Sequence, residues 1–159
     1  MNNYTIQEAT INDIPALIEV FKSSIKAAAT QDYTTDQIPE WLRSAKNGKR
    51  WTELVEQQIV ITLHRNNTIV GFISLKDKKY IDFVYVHGNH QKKGVAQILM
   101  DELIKTAKKQ GQSTISSDVS YTARPFFEKN GFTVIRQNKN KRGDEVLVNF
   151  KMVLTLPTV

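Results

Sequence analysis

The feature that most constrains this fold is a strand, a glycine-containing loop and an amphipathic helix in direct succession. Residues 80–86 are rich in β-branched and aromatic side chains, which is typical of a strand. A helix is predicted over residues 95–110, with Gly111 as its stop signal. Its apolar side chains recur at helical spacing, at Ala96, Leu99, Leu103 and Ala107. Since the N–H groups at a helix start favour negative charge, this unit predicts an anion-binding site.

The loop before that helix reads Gln91-Lys92-Lys93-Gly94-Val95-Ala96. Gly94 lets a ligand approach the backbone without meeting a Cβ, and Ala96 keeps the next approach close. Lys92 and Lys93 add positive charge at the same place. The loop matches neither G-x-G-x-x-G nor G-x-x-x-x-G-K-[ST], so neither a Rossmann dinucleotide site nor a P-loop is predicted. The anion must be of another kind.

The first half of the chain predicts a strand at residues 4–9, then an amphipathic helix capped by Asn12 or Asp13, with Pro15 in its first turn. Periodicity weakens between residues 28 and 58, where two short helices are expected at 36–43 and 51–57. Two antiparallel strands, 59–63 and 69–73, flank a tight turn at Asn66-Asn67.

The second half predicts a strand at 114–120, a short helix at 122–130 and two closing strands at 132–136 and 145–154. The expected order is β-α-α-β-β-β-α-β-α-β-β, in which the two short helices of the irregular insertion at 28–58 count as one element. No internal repeat or long polar linker marks a second domain. Residues 1–159 are expected to form one α/β layer structure around one core.

Composition narrows the chemistry. The chain has no cysteine, which excludes a disulfide framework, a thiolate metal site and a cysteine nucleophile. The net charge of +6 fits an anionic partner, and nucleic acid, a phosphorylated cofactor and simple solubility all remain open. No segment approaches the ~20 apolar residues of a membrane span, and the N-terminus lacks a signal-peptide pattern. We expect a cytoplasmic protein that does not enter the membrane.

Two ordered motifs carry a family resemblance. Gln91-x-x-Gly94-x-Ala96, between a strand and a helix, resembles the coenzyme A loop of the GNAT superfamily of N-acetyltransferases. The later block Ala123-Arg124-Pro125-Phe126-Phe127-Glu128-Lys129-Asn130-Gly131-Phe132 resembles the A-x-x-F-Y-E-K-x-G-F segment of that family. The resemblance covers nearly the whole chain. It implies an α/β (α+β) three-layer fold, with a mixed central sheet of about seven strands splayed at strand 4 and helices on both faces.

The resemblance also implies acetyl-CoA as cosubstrate, no metal, and transfer of the acetyl group to a primary amine of a small molecule or protein by direct attack in a ternary complex. The pantetheine arm would lie between strands 81–86 and 114–120, and the pyrophosphate would meet the loop. The residues expected to bind acetyl-CoA are Val84, Tyr85, Val86, Gln91, Lys92, Lys93, Gly94, Val95, Ala96 and Phe127.

Direct attack needs a neutral amine, so a base is useful. Asp82 is the first candidate, directly or through a water, although a carboxylate on the polar side of a strand fits the same pattern. His87 is the second, because histidine titrates near neutral pH. Phe127 aligns with the tyrosine that relatives use to protonate the leaving thiolate, and it has no proton to give. Tyr121 or water would replace that tyrosine, while core packing is the alternative role for Tyr121.

The acceptor amine is expected near the aromatic and acidic segment at residues 32–41, through Tyr33 and Trp41. Such residues hold a cationic amine by charge and cation–π attraction, although Trp41 is equally suited to anchoring a core. The sequence does not identify the amine. A monomer or homodimer is expected, since relatives often pair through their C-terminal strands, here within residues 133–154.

Two other functions compete. A non-catalytic acyl-CoA-binding sensor or scaffold is suggested by the phenylalanine at position 127. A nucleic-acid binder is suggested by net charge alone, and the chain has no RNP-like aromatic strand, zinc pattern or recognisable helix-turn-helix. We therefore predict a small-molecule or peptide amine as partner and no nucleic acid.

Overall fold

A computed structural model describes residues 3–27, 43 and 45–157. Two short 3₁₀ turns lie at Ile11–Asp13 and Gly88–His90. The helices are α1 Ile14–Ala27, α2 Gly48–Gln57, α3 Val95–Lys109 and α4 Arg124–Lys129. The strands are β1 Tyr4–Glu8, β2 Ile59–Arg65, β3 Thr68–Lys76, β4 Tyr80–Val86, β5 Thr114–Val119, β6 Thr133–Arg142 and β7 Glu145–Thr155.

The seven strands form one mixed sheet in the order β1-β2-β3-β4-β5-β7-β6. Every neighbouring pair is antiparallel except β4 and β5, which run parallel. A parallel pair needs a crossover, and α3 is that crossover. The predicted α/β class and the mixed sheet splayed at strand 4 are confirmed.

Apolar side chains cover both faces of the sheet, as a layered fold requires. One core lies under α3 and α4 and includes Ile81, Leu99, Leu103, Ile115, Phe127 and Met152. The other lies under α1 and α2 and includes Leu17, Phe21, Trp51, Leu54, Phe72 and Phe83. The predicted helices on both faces are therefore present. None of the helices in the described part of the chain is long and apolar enough to cross a membrane.

Gly71 in β3 sets how closely α3 lies on the sheet. A Cβ at this position would come within 2.8 Å of Val95 Cγ1 and 3.2 Å of the Tyr85 carbonyl oxygen. Only a residue without a side chain allows this approach. Gly71 therefore fixes the height of the α3 N-terminus, and with it the height of the predicted anion-binding loop.

The hairpin predicted at Asn66-Asn67 is confirmed, and both residues have the left-handed φ angles, 52° and 65°, that suit a two-residue turn. Asp77 and Lys78 repeat these angles between β3 and β4. A lysine in a left-handed turn is not a signal that sequence patterns recognise, although the expected strand 80–86 already required a turn here.

Several predicted boundaries were wrong. Helix α2 begins at Gly48 rather than at residue 51, because the Asn47 side chain accepts a hydrogen bond of 3.3 Å from the Arg50 N–H and caps it. Neither Asn12 nor Asp13 is the N-cap of α1. Instead Asp13 accepts from the Thr10 N–H at 2.8 Å in the preceding 3₁₀ turn.

Other elements differ in length from the prediction. Strand β3 continues to Lys76 and β6 to Arg142, because cross-strand pairing with β4 and β7 extends that far. Helix α4 spans only Arg124–Lys129 instead of residues 122–130. The helix predicted at 36–43 lies almost entirely outside the described residues.

Candidate active site

The central feature of the site is the parting of β4 and β5. The two strands pair at only two positions, Tyr80 with Ser116 and Ile81 with Ser117. Beyond these pairs β4 stays with β3 up to Val86, while β5 stays with β7. The edge of β4 that faces β5 therefore has no strand partner after Ile81, and its backbone polar groups need other partners.

A cleft of about 880 Å³ occupies this splay. Its walls come from both strands, the loop before α3, the start of α4 and strand β7. Nine of the ten residues expected to bind acetyl-CoA line it, namely Val84, Tyr85, Val86, Gln91, Lys92, Gly94, Val95, Ala96 and Phe127. Lys93, the tenth, is exposed and is not among the lining residues.

The loop enters α3 through Gly94, which is the N-cap and has φ 83° in the left-handed region. Gln91 Nε2 donates a hydrogen bond of 3.3 Å to the Val86 carbonyl oxygen, which ties the loop to the end of β4. Gly94 has no side chain to cap the helix, so the N–H groups of the first turn are left for solvent or an anion. A Cβ at Gly94 would meet no atom of the described residues within 4 Å, so the described part of the chain leaves this side of the loop open.

Asp82 stands at a β-bulge. Ile73 pairs with Val84 but Leu75 pairs with Ile81, so Ser74 alone opposes two residues of β4, Asp82 and Phe83. The buried Ser74 hydroxyl accepts a hydrogen bond of 3.0 Å from the Phe83 N–H. This bond satisfies a backbone donor at the bulge, where the regular ladder is interrupted.

The Asp82 carboxylate lines the cleft and has two donors beside it. Gln58 Nε2 donates to Oδ2 at 2.8 Å, and Arg50 Nη2 lies 3.8 Å from Oδ1. The Arg50 guanidinium in turn sits over the Phe83 ring, 4.7 Å from its centroid. The Asp82 side chain is 19% exposed, so it remains open to a ligand while its orientation is fixed.

A second set of polar side chains, at the cleft, was not predicted from the sequence. The Tyr80 hydroxyl donates to Asp118 Oδ2 at 2.6 Å, and Asn138 Nδ2 donates to Asp118 Oδ1 at 2.8 Å. Burial, followed by the hydrogen bond to Asp118, raises the pKa of Tyr80 well above its ordinary value. Tyr80 therefore remains a hydrogen-bond donor above the pH at which an ordinary tyrosine ionises. These three residues lie on three different strands, and no local pattern connects them.

The two histidines before the loop differ in their surroundings. His87 is the N-cap of the turn Gly88–His90, where its Nδ1 accepts from the Asn89 N–H at 3.2 Å, and it is not among the lining residues. His90 lines the cleft, and its buried Nδ1 has no partner within the described ranges. Burial first, then the charge of Lys93, lowers the pKa of His90.

Tyr121 and Phe127 lie on the α4 side of the cleft. Tyr121 is 58% exposed, and its ring meets Phe150 edge-on with centroids 5.0 Å apart. Phe127 is buried against Phe132, also at 5.0 Å, and belongs to the core under α3 and α4. Phe127 thus gives the cleft a hydrocarbon surface, while Tyr121 brings a hydroxyl to it.

Tyr33 and Trp41, the residues predicted to contact the acceptor, lie outside the described residues. Within residues 3–27, 43 and 45–157, no group of three or more histidine, aspartate or glutamate side chains could hold a metal ion.

Comparisons with known proteins agree on one family. A family model described as an acetyltransferase (GNAT) domain matches residues 29–156. The uncharacterized N-acetyltransferase YafP of Escherichia coli is 32% identical over 152 residues, which are 96% of each chain. A GCN5-related N-acetyltransferase of Rhodopseudomonas palustris has a crystal structure with a TM-score of 0.91 at 27% identity, over 98% of each chain. The PaiA N-acetyltransferase of Thermoplasma acidophilum, solved in complex with coenzyme A, has a TM-score of 0.78 at 25% identity, over 96% of this chain and 98% of that one.

Proposed function

The chain belongs to the GNAT N-acetyltransferase family, and on that premise we propose that it transfers the acetyl group of acetyl-CoA to a primary amine of a small molecule or protein. The amine attacks the thioester carbonyl directly while both substrates are bound. The observation that carries this proposal is the cleft between β4 and β5, which runs onto the N-terminus of α3. It offers a free strand edge and a helix start to one elongated anionic ligand.

Acetyl-CoA supplies the acetyl group and a thiolate leaving group. The pantetheine arm, which carries amide groups, would pair with the free backbone edge at Val84 and Val86 as an added strand does. The pyrophosphate would meet the N–H groups of the loop from Gln91 to Ala96, with Lys92 and Lys93 adding positive charge. The coenzyme A complex of the PaiA relative supports this assignment.

The surroundings of Gly94 fit an anion. Among residues 3–27, 43 and 45–157, no atom lies within 4 Å of the place of its missing Cβ, so packing within this part of the chain does not explain the glycine. Its left-handed φ of 83° explains it in part, because a side chain costs energy there. The open space above the loop leaves room for phosphate oxygens close to the backbone.

Asp82 is the proposed proton acceptor, directly or through a water. A free alkyl amine has a pKa of about 10.4, so only about one molecule in a thousand is nucleophilic at pH 7 without help. A carboxylate that lines the cleft, with its orientation fixed by Gln58 and Arg50, can take the proton as the amide bond forms. His87, the second candidate, is less suited because its Nδ1 accepts the bond that caps the turn after β4.

The leaving thiolate needs a proton once the carbon–sulfur bond breaks. Phe127 is buried and has no hydroxyl, so it cannot take the role of the family tyrosine. We assign the role to Tyr121 or to a water. Both aromatic residues line the cleft, but only Tyr121 has a hydroxyl, and its side chain is largely exposed.

On the acceptor side, Tyr33 and Trp41 remain proposed contacts to a cationic amine. Their part of the chain precedes α2, whose Arg50 lines the same cleft. We likewise propose that the acceptor is a primary amine, that the protein is cytoplasmic and that it is a monomer or a homodimer. An N-terminal amine, a lysine, a polyamine and another small metabolite are all acceptors to test.

A second candidate function is a non-catalytic acyl-CoA-binding sensor or scaffold. The phenylalanine at position 127 favours it, because a fully buried ring in place of a tyrosine removes the usual proton donor while keeping the cleft wall intact. The two functions differ in one observable, since only the enzyme releases thiol from acetyl-CoA when an amine is added.

The test is calorimetric titration of acetyl-CoA into the wild-type protein and into Gly94→Asp, followed by thiol-release assays over a panel of amines. We expect micromolar binding, about −8 kcal/mol, which Gly94→Asp abolishes. We also expect at least one amine to be acetylated, with turnover reduced about a hundredfold in Asp82→Asn. Binding without turnover across the panel would favour the sensor. No binding by a folded wild-type protein would overturn both functions.

A further inference from the structure

We infer that Gln58 is a positioning residue for acetyl transfer, because its side-chain amide holds the Asp82 carboxylate in its orientation toward the cleft. This inference rests on the proposed function, in which Asp82 accepts the proton of the amine. Gln58 itself is not among the cleft-lining residues, so it acts through Asp82 and not on the substrate.

A β-bulge in β4 turns Asp82 toward α2. In a regular strand, residues two apart lie on the same face. Val84 packs against the core under α3 and α4, yet Asp82, two residues before it, contacts Arg50 and Gln58 on the side of α2. The extra residue opposite Ser74 produces this change of face. As a result, the Asp82 carboxylate meets Arg50 of α2 and Gln58 just beyond it.

The backbone of Gln58 is held in place by the end of α2. It directly follows α2 as the C-cap, and its own N–H donates to the Leu54 carbonyl oxygen at 3.0 Å. Its Cα is therefore fixed by the helix end. From there, Nε2 reaches across 24 positions of sequence to Asp82 Oδ2 at 2.8 Å. Such a bond to a charged acceptor is strong and directional.

Arg50 does not replace this bond. Its Nη2 lies 3.8 Å from Oδ1, which is beyond hydrogen-bond distance, and its side chain is 49% exposed. It attracts the Asp82 carboxylate without fixing the plane of that carboxylate. The terminal torsion of aspartate has a broad minimum, so a directional donor is needed to hold one orientation.

The Gln58 side chain also lowers the stability of the fold through one unpaired atom. Gln58 Oε1 is buried and has no partner among the described residues. An unpaired buried carbonyl is unfavourable, and a hydrocarbon side chain of the same length would avoid it. Fold stability alone does not explain an amide here, whereas its bond to Asp82 does.

The test compares Gln58→Met, which keeps the length and loses the donor, with Gln57→Met at the exposed neighbouring position. For Gln58→Met we expect a kcat about tenfold lower with an unchanged KM for acetyl-CoA, and an unfolding midpoint close to that of the wild type, because the unpaired carbonyl is removed together with the bond to Asp82. Gln57→Met should match the wild type in all three. In an Asp82→Asn background, Gln58→Met should cause no further loss, because residues that act as a unit are not additive.

A tenfold loss that persists in the Asp82→Asn background, or an unchanged kcat in Gln58→Met, would overturn the inference. A crystal structure of Gln58→Met provides a readout that does not need an acceptor amine. We expect the Asp82 carboxylate to leave its wild-type orientation, and an unmoved carboxylate would also overturn the inference. Absence of turnover in the wild type, with Asp82 displaced in the variant, would count against the proposed function alone.

Discussion

The Ser117 hydroxyl donates a hydrogen bond of 2.9 Å to the Ile81 carbonyl oxygen at the apex of the cleft, where β4 and β5 part. Both residues are buried. The bond joins the two strands at the last position where they pair, so it sets the point from which the cleft opens. It also satisfies a donor and an acceptor that water does not reach.

Ser117→Ala should therefore lower the free energy of unfolding by about 1–2 kcal/mol, because the Ile81 carbonyl loses a buried partner. It should also weaken acetyl-CoA binding, since no side-chain hydrogen bond from position 117 then joins β5 to Ile81 at the apex of the cleft. Urea denaturation and calorimetry measure the two effects. Ser116→Ala, on the opposite face of the same strand, is the control, and an equal loss in both variants would contradict this role for Ser117.

Gly94→Ala and Gly111→Ala form a matched pair. Both glycines have a left-handed φ, 83° and 78°, and neither missing Cβ would meet an atom of the described residues within 4 Å. Each variant should lose about 1 kcal/mol of stability from backbone strain. Only Gly94→Ala should weaken acetyl-CoA binding, by about tenfold or 1.4 kcal/mol, because only Gly94 faces the proposed phosphate site. Equal affinities would remove the loop from cofactor binding.

Gly71→Ala should lower the free energy of unfolding by about 1–3 kcal/mol, because the new Cβ collides with Val95 and with the Tyr85 backbone. It should also weaken acetyl-CoA binding, since Val95 starts the helix that follows the loop. Gly48→Ala is the control. A Cβ at Gly48 meets no atom within 4 Å in the described part of the chain, and alanine in the first turn of α2 should raise stability by up to about 1 kcal/mol. Thermal unfolding that ranks the two variants equally would refute the packing argument.

The lowered pKa of His90 predicts a pH dependence. A histidine whose pKa is lower in the folded state binds fewer protons there, so its contribution to stability is complete above about pH 6.5 and is lost as pH falls below that value. Lys93, His87 and Arg65 are the charged or titratable groups that add to the effect of burial. His90→Gln should therefore lose less stability than the wild type between pH 7 and pH 5. Urea denaturation at both pH values measures this, and parallel losses would contradict the assignment.

Tyr121→Phe should reduce turnover about tenfold without changing the KM for acetyl-CoA, if the hydroxyl protonates the leaving thiolate. The ring contact with Phe150 does not involve the hydroxyl, so stability should hold. Tyr4→Phe on β1, remote from the cleft, is the control. Unchanged turnover in Tyr121→Phe would leave water as the proton source.

Much of the fold was predictable because its signals are local. The Asn66-Asn67 turn has residues that tolerate a left-handed backbone, and Gly94 marks the start of α3 in the same way. The apolar stripe of α3, which includes Leu99 and Leu103, packs in the core as predicted. The same local motifs identified the family, which the comparisons confirm.

Boundaries and polar partners were less predictable. The far end of β6 is rich in asparagine and lysine, which do not favour strands, and it is a strand because β7 pairs with it up to Arg142. Asp118 carries no local signal of importance, and its bonds to Tyr80 and Asn138 depend on strands that meet only in the folded chain.

By itself, the sequence determined the order of elements, the loop at Gly94 and the family, since each depends on residues close together in the chain. Only the tertiary structure decided where β4 and β5 part, after Ile81 and Ser117, and the bulge that turns Asp82 toward Gln58. The parting point depends on Ile81 and Ser117, which are 36 positions apart, and the orientation of Asp82 depends on Gln58, 24 positions away. Hydrogen bonds across such separations form only when the sheet and both helical layers are assembled, so no local pattern of residues encodes them.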